Sequence, residues 1–181
     1  MPKTRPSESR EEKMAEILDV AEARLREGGH PALSVAGIAR ELGLAQNAIY
    51  WYFPSKDDLF VATLQRMLGK IMARKPSGQV GEVERILWFT DQFHVLSGLR
   101  GAMSERARSS GAVARFVEEL DMLLSHMLSN ALRAYVPSEE LPVAVETFRA
   151  TVEGTFVKGL ERRDRRRVLT FALERLMRRR A

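Results

Sequence analysis

Hydrophobic residues recur at helical spacing in every long segment of this chain, and no run of alternating β-branched residues lies between hairpin turns. That pattern excludes a sheet-based architecture and leaves an all-α fold. A capping box of Ser9 with Glu12 opens the first helix, Met14, Ile17, Leu18, Ala21 and Leu25 share one face, and Gly28-Gly29 ends it. Ser34 caps a short second helix with Val35, Ile38, Ala39 and Leu42 inward and Gly43 as its stop. A third helix carries Gln46 to Tyr52 and is closed by Pro54, which removes an amide. Ser55 and Asp58 open a fourth, which turns Phe60, Leu64, Met67, Leu68 and Ile71 to one side.

The cluster Pro76-Ser77-Gly78 combines an imposed turn with loss of periodicity, so the expected division is a domain over residues 10–70 and another over 77–181. A helix over about Val80 to Ser97, apolar on more than one side, belongs in the middle of a bundle. A short polar helix follows around Met103 to Arg108, then about six turns from Val113 to Tyr135, stopped by Pro137. Pro142 sits in the first turn of the next helix, which carries Val145, Phe148, Val152 and Phe156 on one stripe. Asp164 is the expected cap of a last, arginine-rich helix.

Composition removes whole classes of function. Cysteine is absent, so disulfides, thiolate metal sites and cysteine nucleophiles are excluded, in keeping with a reducing cytoplasm. The three histidines, His30, His94 and His126, share no ligand spacing. No Gly-rich phosphate loop, Gly-x-Ser-x-Gly elbow or histidine-nucleophile pairing is present. Neither an enzyme nor a metal or cofactor is expected. The start of the chain lacks an apolar leader, and no stretch approaches a membrane span, so a cytoplasmic protein without membrane contact is the expectation.

The chain carries a formal charge of +5. The excess sits at its end: residues 161–181 hold nine basic and three acidic side chains, while residues 76–160 hold eight and eleven. Two readings of these arginines are open, a solvated helix face and pairing with the acidic middle segment.

The segment from Val35 to Tyr52 meets the requirements of a helix-turn-helix, placed at about residues 33–52. Ala39 is the small residue that lets two helices cross closely, Gly43 tolerates the left-handed angles of the turn, and Ile49 pins the second helix inward. Its outer face then displays Gln46 and Asn47, followed by Tyr50, Trp51 and Tyr52. Amide side chains there can bond base edges in a major groove, and aromatic ones can pack on sugar or reach phosphate. Lys56 with the free amides of the fourth helix, and the helix start at Ser34, suit phosphates. Small-to-glycine spacing also occurs in ordinary bundles, and Tyr50 and Phe53 suit a core equally well, so spacing alone leaves both readings open.

From Ser34 to Leu59, and above all in the run from Ile49 through Tyr50, Trp51, Tyr52, Phe53, Pro54, Ser55, Lys56, Asp57 and Asp58 to Leu59, the chain resembles the N-terminal domain of the tetracycline-repressor (TetR) family of bacterial transcription regulators. The likeness runs from about Arg10 to Leu68. It implies a homodimer that places its third helices in successive major grooves of a palindromic operator on double-stranded DNA. It further implies a C-terminal helical domain for effector binding and dimerisation. On that basis Gln46 and Asn47 are expected to read bases, Ser34, Tyr50, Trp51, Tyr52 and Lys56 to position the helix on the backbone, and Arg5 and Arg10 to act as an arm. Two departures weaken the local structure: Ala45 stands where a capping Ser or Thr is usual, and Gly37 lies inside a helix.

For the C-terminal domain, Trp88, Phe89, Phe93, His94, Met103, Phe116, Leu120, Met127 and Phe148 are the expected lining of a largely apolar effector pocket, ordinary core being the competing reading. The small residues Thr147, Thr151 and Gly154, with Leu169, Ala172 and Leu176 of the last helix, are the expected dimer interface. The competing reading is that the same stripe packs within one subunit.

Overall fold

The computed structural model describes residues 10–76 and 78–178. Among them no strand occurs, and the helices are α1 (Arg10–Ala32), α2 (Val35–Glu41), α3 (Gln46–Tyr50), α4 (Lys56–Ala73), α5 (Glu82–Gln92), α6 (His94–Gly98), α7 (Arg100–Ala107), α8 (Gly111–Leu132), α9 (Leu141–Val157) and α10 (Arg162–Leu176). No helix among the described residues is long and apolar enough to cross a membrane. The chain forms two compact units, one holding residues up to Lys70 together with Gly101–Ala114, the other Ile71–Arg100 together with the residues from Arg115 onward. This division differs from a cut at the Pro76 cluster in giving nearly all of α7 to the first unit.

In the first unit the fully buried side chains come from each early helix in turn: Ile17 and Ala21 of α1, Ile38 of α2, Ile49 of α3, and Leu59, Phe60 and Leu64 of α4. The regular part of α1 ends where the glycine pair predicts, at non-helical angles on Gly28 and Gly29. Ser9 lies outside the described residues. Polar bonds then tie α1 to α4. Arg66 bonds Asp19 and donates to the carbonyl of Ala15 at 2.7 Å, and Lys70 donates to Glu22 at 2.7 Å. Burial works against ionisation of Glu22, but the bonds from Lys70 and Arg26 outweigh it and hold its carboxyl below the usual range.

In the second unit, Ile86 and Leu87 of α5, Leu132 and Val136 at the end of α8, Ala144, Val145 and Phe148 of α9, and Leu169 and Leu173 of α10 form one buried cluster. The expected single helix over 80–97 breaks at Phe93 (φ −71°, ψ −3°) into α5 and α6. After the break the helical register restarts, so spacing from Val83 no longer tells which way His94 points; it is exposed rather than on a buried face. The last helix begins at Arg162, not behind Asp164. Its cap position is Glu161, which makes no side-chain bond, and Asp164 lies in the first turn, where its charge suits the helix dipole.

The arginines at the start of α10 meet the acidic middle segment within the same unit. Asp91, only 6 % exposed as a side chain, accepts from Arg162 Nε at 3.1 Å and from Arg166 at 2.7 Å, and lies 3.6 Å from Arg165. Arg166 also grips Glu84 at 2.7 and 2.6 Å. Arg165 is buried, stacked over the ring of Phe156 at 4.7 Å and bonded to the carbonyl of Leu160 at 3.3 Å.

Candidate nucleic-acid interface and ligand cavity

The turn between α2 and α3 is built as the spacing requires. Ala39 is buried, Gly43 takes φ +64° with open space where a Cβ would stand, and the amide of Leu44 donates to the carbonyl of Ala39 at 2.8 Å. Ile49 is fully buried and Phe53 nearly so, which fixes α3 against the unit and assigns Phe53 to the core. Gln46 and Asn47 are exposed, Tyr52 is half-buried, Tyr50 is 40 % exposed and Trp51 83 % exposed. Four side chains able to bond or stack therefore share an outward surface on a helix of five residues and its cap. Ala45, the residue at the N-cap of α3, makes no side-chain bond there. Gly37 has a structural reason: a Cβ would stand 3.0 Å from Arg24, which reaches over α2 to bond Glu41 at 2.7 Å.

The expected phosphate-positioning groups differ in their freedom. The Ser34 hydroxyl is occupied as a cap, accepting from the amide of Gly37 at 3.1 Å. Ser55 caps α4 by accepting from the amide of Asp58 at 3.0 Å, and Lys56 is the first residue of that helix. Its neighbour Asp57 is held by a two-pronged bond from Arg106 of α7, at 3.0 and 2.6 Å, which keeps its carboxyl below the usual range. Arg10 is exposed at the start of α1, and Arg5 lies outside the described residues.

Close to this corner, His30 packs edge-on against Phe60 at 4.7 Å, and its Nε2 is buried with no hydrogen-bond partner. Burial, then the charges of Lys56 and Arg106, lower its pKa below 6.5, against the opposing pull of Asp57 and Glu105. The unfolded chain therefore takes up this proton first as pH falls. His30 leaves stability untouched above about pH 6.5 and lowers it on acidification below that value. A His30→Gln variant is expected to show a smaller drop in thermal midpoint between about pH 7.5 and 5.5 than the parent chain; equal drops would remove His30 as the cause.

The second unit holds a half-open cavity of about 620 Å³ between α5, α8 and α9. Of the nine expected lining residues, Phe89, Phe93, Met127 and Phe148 are there. The others are not. Trp88 lies off the α5 stripe of Ile86, Phe89, Thr90 and Phe93 that faces the cavity, and His94 follows the break and stacks on Phe156 at 5.7 Å. Met103 belongs to the first unit, and Phe116 and Leu120 lie N-terminal to the part of α8, from Leu124 onward, that lines the space. Tyr135 and a set of charged residues, Glu82, Arg85, Arg100, Glu146, Arg149 and Glu153, complete the wall. In the sequence these charges look like solvated helix faces; only the packing of α5 against its neighbours turns them to one space.

Among the expected interface residues, Leu169 is spent in the unit's own core, and Ala172 and Leu176 pack against it. Thr147 is exposed, and Thr151 bonds back to its carbonyl at 2.8 Å. Among the described residues nothing lies within 4 Å of a Cβ built on Gly154, so none of them packs on that stripe there. The exposed apolar side chains of these helices are Val143 and Val157 on α9 and Val168 and Phe171 on α10.

Residues 17–63 match the family described as bacterial regulatory proteins, tetR family. The chain is 26 % identical over 153 residues to the HTH-type transcriptional regulator BetI of Rhizobium meliloti, covering 78 % of this chain and 75 % of that one. It is 28 % identical over 138 residues to the nucleoid occlusion factor SlmA of Actinobacillus pleuropneumoniae, covering 68 % of each. The crystal structure of BioQ with its double-stranded DNA operator superposes with a TM-score of 0.63 at 20 % identity, over 91 % of this chain and 97 % of that one, a likeness of fold. The family match falls on the helix-turn-helix and the helices that carry it, so this part of the chain is similar to the bacterial regulatory proteins of the tetR family.

Proposed function

We propose that this protein is a sequence-specific transcriptional repressor that binds a palindromic operator as a homodimer and leaves it when a small molecule enters the cavity of the second unit. The observation that carries this reading is the outward display of Gln46, Asn47, Tyr50 and Trp51 on a helix anchored by fully buried Ile49. An indole 83 % exposed does nothing for the core, and it suits packing against a nucleic-acid backbone. Gln46 and Asn47 read base edges; Tyr50, Trp51, Tyr52, Lys56 and the α2 start at Ser34 position the helix; Arg10, with Arg5 before it, adds backbone charge. Dimerisation uses the stripe of exposed Val143, Thr147, Ala150 and Val157 with half-buried Gly154 on α9, together with Phe171 on α10, a largely apolar surface that a lone subunit leaves in water. Arg100 supports the coupling of effector to DNA, since it lines the cavity as the first residue of α7, the helix whose last turn bonds Asp57 beside Lys56.

Capture of genomic fragments on the purified protein tests the reading. The expected result is retention of one or a few palindromic sites next to genes, with an affinity that falls steeply with salt. No salt-dependent duplex binding overturns it in favour of a helical adaptor that keeps the fold without an operator. The likeness to a nucleoid occlusion factor supports a second reading, and retention of many sites scattered along the chromosome would select it.

A further inference from the structure

The cavity is lined by three arginines and three glutamates, but they are not all paired with one another. Arg149 bonds Asp121 and donates to Ser125 at 2.5 Å, and it feels the charges of Glu146 and Glu153 as well. Arg100 pairs with Glu153 at 3.3 Å, and Arg85 pairs with Glu82 at 3.2 Å. Every arginine of the wall thus has a carboxylate of its own, whereas Glu146 has no cation within ion-pair distance among the described residues. Apart from the buried Nε of Arg85, a single donor without a partner, an anionic ligand would have to separate a guanidinium from its carboxylate, and a charge left without its partner costs more than the new contact returns. A cationic ligand breaks nothing and finds Glu146. The rest of the wall favours the same sign: Phe89 and Phe93 lie with their rings stacked 6.4 Å apart, and Tyr135 also lines the space. Aromatic faces attract cations and do not attract carboxylates.

We infer that the cavity selects an amphipathic organic cation, its apolar body against Phe93, Met127 and Phe148 and its positive group toward Glu146. This rests on the reading of the cavity as the effector site and adds the charge class of the effector.

The test is calorimetric titration of the full-length protein with three probes of equal chain length: octyltrimethylammonium, octanol and octanoate, all below their aggregation limits. The expected order is the ammonium ion tightest by about tenfold, then octanol, then octanoate. Glu146→Gln is expected to remove most of the ammonium preference and leave octanol unchanged. Octanoate binding as tightly as the ammonium ion, or a preference that survives Glu146→Gln, overturns the charge class alone. Met127→Trp, which fills the cavity, separates this from failure of the site itself. If it abolishes binding of the probes the cavity is the site; if no probe binds the parent chain, or all still bind the filled variant, the effector reading falls and this inference with it.

Discussion

Replacing Asp91 with alanine is expected to destabilise the second unit by about 3–5 kcal/mol, the range for removing one partner of a buried ion pair. Asp91 is the carboxylate on which three guanidiniums of α10 converge, and it is buried with Arg165. Without it, Arg165 keeps only the Leu160 carbonyl and the Phe156 ring, its Nε already lacking a partner, and the repulsion among Arg162, Arg165 and Arg166 goes uncompensated. Arg162→Ala is the internal control: its side chain is 72 % exposed, so its loss is expected to stay under about 1 kcal/mol. Urea unfolding followed by a C-terminal probe such as Trp88 reads both. An Asp91→Ala loss no larger than that of Arg162→Ala would mean that apolar packing alone holds α10 to α5.

This cluster also marks where the sequence stops being informative. Fold class was legible because Ile17, Ala21, Leu25 and then Leu59, Phe60 and Leu64 repeat at a period that needs no partner to be recognised. The helix-turn-helix was legible for a similar reason: Ala39, Gly43 and Ile49 are local steric requirements of its turn and packing. Where a feature depends on distant residues, local rules misplace it. Asp164 satisfies the local preference for a cap, yet α10 starts two residues earlier, where Arg162 can reach Asp91, seventy-one positions back. No glycine or proline announces the break at Phe93, so the sequence period runs straight through it and puts His94 on a face that the structure does not bury. The cavity was the least legible part, because six of its lining residues are charged and their pairs, Arg100 with Glu153 and Arg149 with Asp121, join helices remote in sequence. Charge at helical spacing looks like surface until its partner across the bundle is known.

On the captured operator, alanine at Asn47 or Gln46 is expected to reduce discrimination against a scrambled duplex by about 1–3 kcal/mol for each lost bidentate contact, about tenfold or more. Both side chains are exposed, and α3 is held by Ile49 and Phe53 rather than by them, so the variants should fold as the parent does. The loss is then one of recognition. Lys56→Ala should behave differently, because a lysine at a helix start meets phosphate, which every sequence presents alike. It is expected to weaken operator and scrambled duplex equally and to lower the slope of log affinity against log salt by about one. Anisotropy titrations at three salt concentrations separate the two behaviours. Unchanged discrimination in both amide variants would take base reading away from the start of α3. A Lys56→Ala variant with selectivity lost and salt slope intact would instead give Lys56 to a base edge, which the geometry of a helix start beside capped Ser55 argues against, since its free amides already draw phosphate to that corner.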